Sequence, residues 1–92
     1  MREILLAKLI EAEELASQFR GGYSNEFDSA TDFHAALKLA VEAFSNGDDK
    51  QLSKIKTWFL PTSCWDDFIG LDGEDLANQI SSLINTYRNL NQ

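Results

Sequence analysis

With 92 residues, 43% of them apolar and 25% charged, the chain can fill one hydrophobic core and is too short for a second, so residues 1–92 are expected to form a single helical domain. Eight Lys and Arg against fifteen Asp and Glu leave a net charge of −7, which removes the cationic excess that phosphate backbones and anionic lipid surfaces reward. Nucleic acid and membrane are therefore excluded as expected ligands, and charge favours a basic protein as partner or serves solubility alone.

The first expected helix covers residues 2–19. Leu5, Leu9, Ala12, Ala16 and Phe19 recur at spacings of three and four, which places them on one helical face, and Leu6, Ile10 and Leu15 widen it. Gly21 and Gly22 end it, since glycine takes a left-handed cap conformation without strain. Residues 21–28 read as a loop. Ser29 and Asp32 form a Ser-x-x-Asp start for a second helix running to residue 44, with Phe33, Leu37, Ala40, Val41 and Phe44 inward and Gly47 as its stop. Asp48 opens a third helix with Gln51 in the capping position. Leu52, Ile55 and Phe59 face inward, Trp58 lies off that line and is expected to be exposed, and Pro61 ends the element. Ser63 caps a short helical turn at residues 63–69, stopped by Gly70. The last helix begins at Asp72, with Glu74 and Asp75 in the turn where the helix dipole favours anions, and Leu76, Ile80, Leu83, Tyr87 and Leu90 form its stripe. The expectation is an all-α fold, a compact bundle of four helices plus one short helical turn near residues 63–69.

Catalytic motifs are scarce. The sequence holds no Gly-rich phosphate loop, no Gly-x-Ser-x-Gly, no Glu-x-x-His and no paired Cys or His set, so no catalytic residue, metal or cofactor is expected. His34 shares a helical line with Lys38 and Glu42 and reads as a solvated surface histidine. Cys64, the one cysteine, cannot form an intrachain disulfide, which points to a reducing, cytoplasmic setting. It reads either as a small buried residue or, at the start of the short turn, as a stabilised thiolate in a thiol-dependent enzyme or redox sensor. No apolar stretch approaches the roughly 20 residues that span a bilayer.

Two concentrations stand out between residues 58 and 75. Asp66, Asp67, Asp72, Glu74 and Asp75 place five acids within ten residues with no base among them. Calcium loops need oxygen ligands at alternating positions. A count from Asp67 puts Ile69 and Leu71 there, and a count from Asp66 puts Phe68 there, so the calcium pattern fails and helix capping leads, followed by a negative docking patch and last by a metal site of another kind. Trp58, Phe59, Trp65 and Phe68 cluster around Pro61, either as core or as the aromatic part of an interface. The outer face of the last helix is amide-rich, with Asn78, Gln79, Ser81, Ser82, Asn85 and Asn89, and suits a homodimer seam.

Residues 60–70, which carry Cys64, Trp65, Asp66 and Asp67, together with Asp72, Glu74 and Asp75, give the chain a design that resembles the small acidic helical immunity proteins with which bacteria block their own toxins. The likeness is one of size, charge and architecture, and the Tyr-Tyr-Pro element of the colicin-immunity group is absent. It implies a domain that presents acids and aromatics to a basic toxin. The expected function is thus a small acidic protein-binding domain, an immunity or inhibitor protein in its most concrete form. Asp66, Asp67, Asp72, Glu74 and Asp75 would steer the partner, and Trp65 and Trp58 would anchor it. The alternative is a homo-oligomeric helical assembly subunit.

Overall fold

Three-four periodicity carries through to the tertiary structure, a computed structural model that describes residues 1–24, 26–60 and 62–90. The fold is all-α, with 74% of it helical and no strand among the described residues. Helix α1 (Arg2–Ala16) buries Leu5, Leu9, Ala12 and Ala16. It stops three residues before the expected end. The amide N–H groups of Gln18 and Phe19 turn back to the carbonyls of Leu15 and Ala16, both at 3.1 Å, and the Ser17 hydroxyl donates to Glu14 O at 2.5 Å. Both draw the last turn tighter than an α-helix. Ile10 is exposed rather than part of the apolar face, because it lies roughly 130° round the helix from the centre of the buried stripe.

Helix α2 (Ala30–Ser45) follows the sequence closely. The Asp32 N–H donates to the Ser29 hydroxyl at 3.2 Å, which makes Ser29 the N-cap, and Phe33, Leu37, Ala40, Val41 and Phe44 are all buried. Gly47, at φ 110°, turns the chain beyond its end. Helix α3 (Gln51–Trp58) begins three residues after Asp48. The Asp48 carboxylate accepts from the Lys50 N–H and the Gln51 amide, so it organises the preceding turn instead of capping the helix. Pro61, expected as the stop, lies outside the described residues.

Helix α4 (Cys64–Phe68) and a 3-10 turn (Gly70–Gly73) precede α5 (Glu74–Leu90). Asp72 therefore sits in the 3-10 turn and the helix starts at Glu74. The buried stripe of α5 is Ala77, Ile80, Ile84 and Tyr87, with Leu76 and Leu83 half-buried beside it and Leu90 exposed. The expected line of leucines is one position off. α5 packs between α1 and α3, where a small residue at 77 lets the helices approach, and the leucines flank the seam.

α1 packs on α2 and α5, and α3 bridges α2 to α5. One end of the bundle is aromatic. Phe33, at the start of α2, meets Trp58 edge-on at 5.7 Å, Trp65 at 6.4 Å and Phe68 in a stack at 5.5 Å. The other end is polar. Arg2 lies 4.0 Å over the Phe44 ring, donates to the Phe44 carbonyl and pairs with Asp49 at 3.1 Å, while the Tyr87 hydroxyl donates to the same carboxylate at 2.7 Å. The radius of gyration is 12.2 Å, against about 12 Å for a packed chain of this length. No helix among the described residues is long and apolar enough to cross a membrane.

Candidate partner-binding surface

The acidic segment takes its shape from the tryptophan beneath it. Trp65 is 1% exposed, lies against Phe59 at 4.6 Å between ring centroids, and donates its indole N–H to the Gly73 carbonyl at 2.9 Å. That bond ties α4 to the 3-10 turn across eight residues. Cys64 and Phe68 point inward with it, so the remaining helical positions, Asp66 and Asp67, point to solvent. Asp66 also accepts the Thr62 N–H at 2.8 Å, which holds Thr62 at φ 63° and fixes the entry to α4. Gly70, at φ 63°, turns the chain out of α4, and Asp72, Glu74 and Asp75 follow, all exposed. Asp66 and Glu74 line one small cleft with Phe59, Ala77 and Asn78. None of the five acids is in an ion pair among the described residues, and there is no Lys, Arg or His from residue 57 to 87. No group of three or more His, Cys, Asp or Glu side chains among the described residues could hold a metal ion.

Both tryptophans belong to the core. Trp58 is 3% exposed, which corrects the expectation of a surface indole. The loop before α2 folds over it: Phe27 meets its ring edge-on at 5.7 Å, and Glu26 accepts its N–H at 2.7 Å. With Trp58 at 3% and Trp65 at 1% exposure, neither indole is presented as an anchor. The large apolar side chain among the acids is instead Leu71, 87% exposed between Gly70 and Asp72, with half-exposed Leu60 nearby in the chain. The sequence carries a signal for this. Leu71 lies on no helical stripe and is flanked by residues suited to turns.

Cys64 is buried, and its thiol is pushed above the ordinary range, first by burial and further by the negative charges of Glu26 and Asp67, against hydrogen bonding from Ser24 and Ser63. That direction is opposite to the stabilised thiolate expected at the start of the turn, because burial disfavours the charged form. His34 is half-buried rather than solvated, because its Nε2 lies 2.6 Å from Glu13 Oε1 and joins α2 to α1. On α5, Asn78, Gln79, Ser82, Asn85 and Asn89 are exposed and Ser81 is half-buried. Comparison with protein-family models, with curated proteins and with solved structures finds no match to this chain.

Proposed function

We propose that this chain is a protein-binding domain that holds a basic partner at the corner formed by residues 60–75, and that it acts as an immunity or inhibitor protein by covering a cationic working surface. The observation that carries this reading is an 87% exposed Leu71 set among five exposed carboxylates without an ion pair among the described residues. Unpaired like charges are kept at one place at a cost in self-repulsion, and a complementary cationic surface relieves it. Leu71 supplies apolar contact at the centre, in the role first expected of the tryptophans. The resemblance in size, charge and helical build to toxin-immunity proteins supports the inhibitor form.

Capture from the source cell tests this, using the wild-type chain, a variant with Asp66, Asp67, Asp72, Glu74 and Asp75 changed to their amides, and Leu71→Ala. The expected result is a basic protein retained by the wild type at low salt and lost with both variants. Its association rate should fall about tenfold or more on going to high salt. Retention by the amide variant, or an association rate indifferent to salt, would discard the proposal.

Self-association is the second reading. It draws on the uncharged outer face of α5, which runs beside a groove against α1 where Ile4 is exposed.

A further inference from the structure

The end of α1 and the start of α2 enclose a cleft of about 160 Å³, lined by Ser17, Phe19, Arg20, Thr31 and His34. Bonds between the two segments fix its walls. The carbonyls of Arg20 and Gly21 accept from the Thr31 hydroxyl at 3.3 Å and the Ala30 N–H at 3.1 Å, so the backbone of Arg20 is tied to the first turn of α2. His34 follows Thr31 by one turn on the same side of α2, and Glu13 holds its Nε2 from α1 at 2.6 Å. Ser17 stands one turn beyond Glu13 on the same side of α1.

The cleft holds acceptors and a single cation. An ionised carboxylate only accepts, so the Glu13 contact assigns the imidazole proton to Nε2 and leaves Nδ1 with a lone pair. Nδ1 has no partner among the described residues, and no buried side-chain nitrogen or oxygen among them lacks one, so Nδ1 reaches solvent. The Ser17 and Thr31 hydroxyls give their protons to the carbonyls of Glu14 and Arg20 and keep their lone pairs. Against these acceptors stands the Arg20 guanidinium, which is exposed, is in no ion pair among the described residues and only donates.

We infer that this cleft binds free hydrogen phosphate, held between Arg20 and His34. The inference is independent of the protein-binding reading and uses none of the acids at residues 60–75. A ligand here must accept from Arg20 and donate to Nδ1 or a hydroxyl oxygen. Sulfate and carboxylates only accept. A phosphodiester has no O–H either, which leaves out a nucleic-acid backbone. Hydrogen phosphate meets both demands, with oxyanion atoms for the guanidinium fork and a P–O–H for Nδ1. The size agrees, since 160 Å³ is the share of roughly five waters in the liquid and phosphate has that number of heavy atoms. Glu13 is a positioning residue, because it sets which ring nitrogen carries the proton. The net charge of −7 opposes any anion, so millimolar affinity is expected.

Heteronuclear NMR on the full chain tests this at constant neutral pH and constant ionic strength, with inorganic phosphate, sulfate and acetate raised in turn to about 50 mM. His34 is the single histidine, so its ring nitrogens are read without ambiguity. Phosphate should shift those nitrogens and the amides of Arg20 and Thr31 along one saturating curve. Sulfate and acetate should bind about fivefold more weakly or worse. Arg20→Gln should weaken phosphate about tenfold and leave thermal unfolding unchanged, since the side chain is exposed. Glu13→Gln lets the imidazole proton move to Nδ1 and should narrow the preference for phosphate over sulfate. Shifts that grow with every anion and never saturate would overturn the site. Sulfate bound as tightly as phosphate would overturn the ligand, and an unchanged phosphate curve in Arg20→Gln would overturn the placement. A preference that Glu13→Gln leaves intact would overturn the role of Nδ1.

Discussion

Gly73 holds the acidic corner together, and it does so by lacking a side chain. Its carbonyl receives the Trp65 indole N–H, and a Cβ built on it would lie 2.5 Å from Trp65 Cζ2 and 2.7 Å from Ile69 Cγ2. Both neighbours are buried and have no room to retreat. Gly73→Ala should therefore cost about 1–3 kcal/mol, the usual range for overpacking a filled core. Its effect is read as a lower urea midpoint at unchanged slope. Unaltered stability would mean that the indole and the 3-10 turn can part easily, and that the five acids are not rigidly displayed. Gly70 is the contrast. It is as closely tied to the turn, yet its Cβ would meet nothing, and its requirement is the positive φ alone. The sequence marks both glycines as breaks and cannot distinguish them, because the crowding at Gly73 comes from a tryptophan eight residues away. The same limit accounts for Trp58. Its burial depends on Glu26 and Phe27, which belong to a stretch that reads only as a loop.

Among the elements, α2 was legible almost to the residue, since Ser29 caps it and its stripe has one clear centre. α5 was legible in kind and not in rotation. Leu76, Leu83 and Leu90 run one residue from Ala77 and Ile84, and sequence weighting prefers leucine to alanine, whereas close packing between two helices prefers alanine. What fixes the C-terminal part of α5 is polar. Tyr87 donates to Asp49, which also receives Arg2, so one carboxylate joins the start of α1, the approach to α3 and the end of α5. The bond to Asp49, with burial and the negative charge adding to it, raises the Tyr87 hydroxyl above its ordinary value. A raised folded pKa means the fold favours the protonated phenol. The stabilisation is therefore full below the unfolded tyrosine pKa of about 10 and is lost as pH rises through the higher folded value. Urea midpoints between pH 8 and 11.5 should fall more steeply in the wild type than in Tyr87→Phe. Parallel curves would show that the phenol bond does not couple to folding.

At the scale of the whole molecule, a net charge of −7 is set against three ion pairs among the described residues besides the His34–Glu13 contact, and one of those is the Met1 amino group with an almost fully exposed Glu3. Exposed pairs of this kind contribute little. The balance of surface electrostatics is therefore repulsive, and it is concentrated where Asp66, Asp67, Asp72, Glu74 and Asp75 face solvent without counter-charges. Raising salt shortens the screening length from about 30 Å at 0.01 M to about 3 Å at 1 M, which removes repulsion between exposed groups and leaves the core untouched. The midpoint of thermal unfolding should thus rise by several degrees between 10 mM and 500 mM NaCl, since about 1 kcal/mol moves a domain of this size by 4–8 °C. Asp67→Asn with Asp72→Asn should raise the low-salt midpoint and shrink the salt increment together. A midpoint that falls with salt would mean that attractive pairs such as Arg2–Asp49 dominate, and the acidic corner would then carry no stored repulsion for a partner to relieve. A rise confirms that the cost is present, and it sets a scale for binding. A cationic protein seated on residues 60–75 supplies counter-charges at fixed positions, so at low ionic strength it should stabilise the fold by more than salt alone. That excess should vanish in the amide variant.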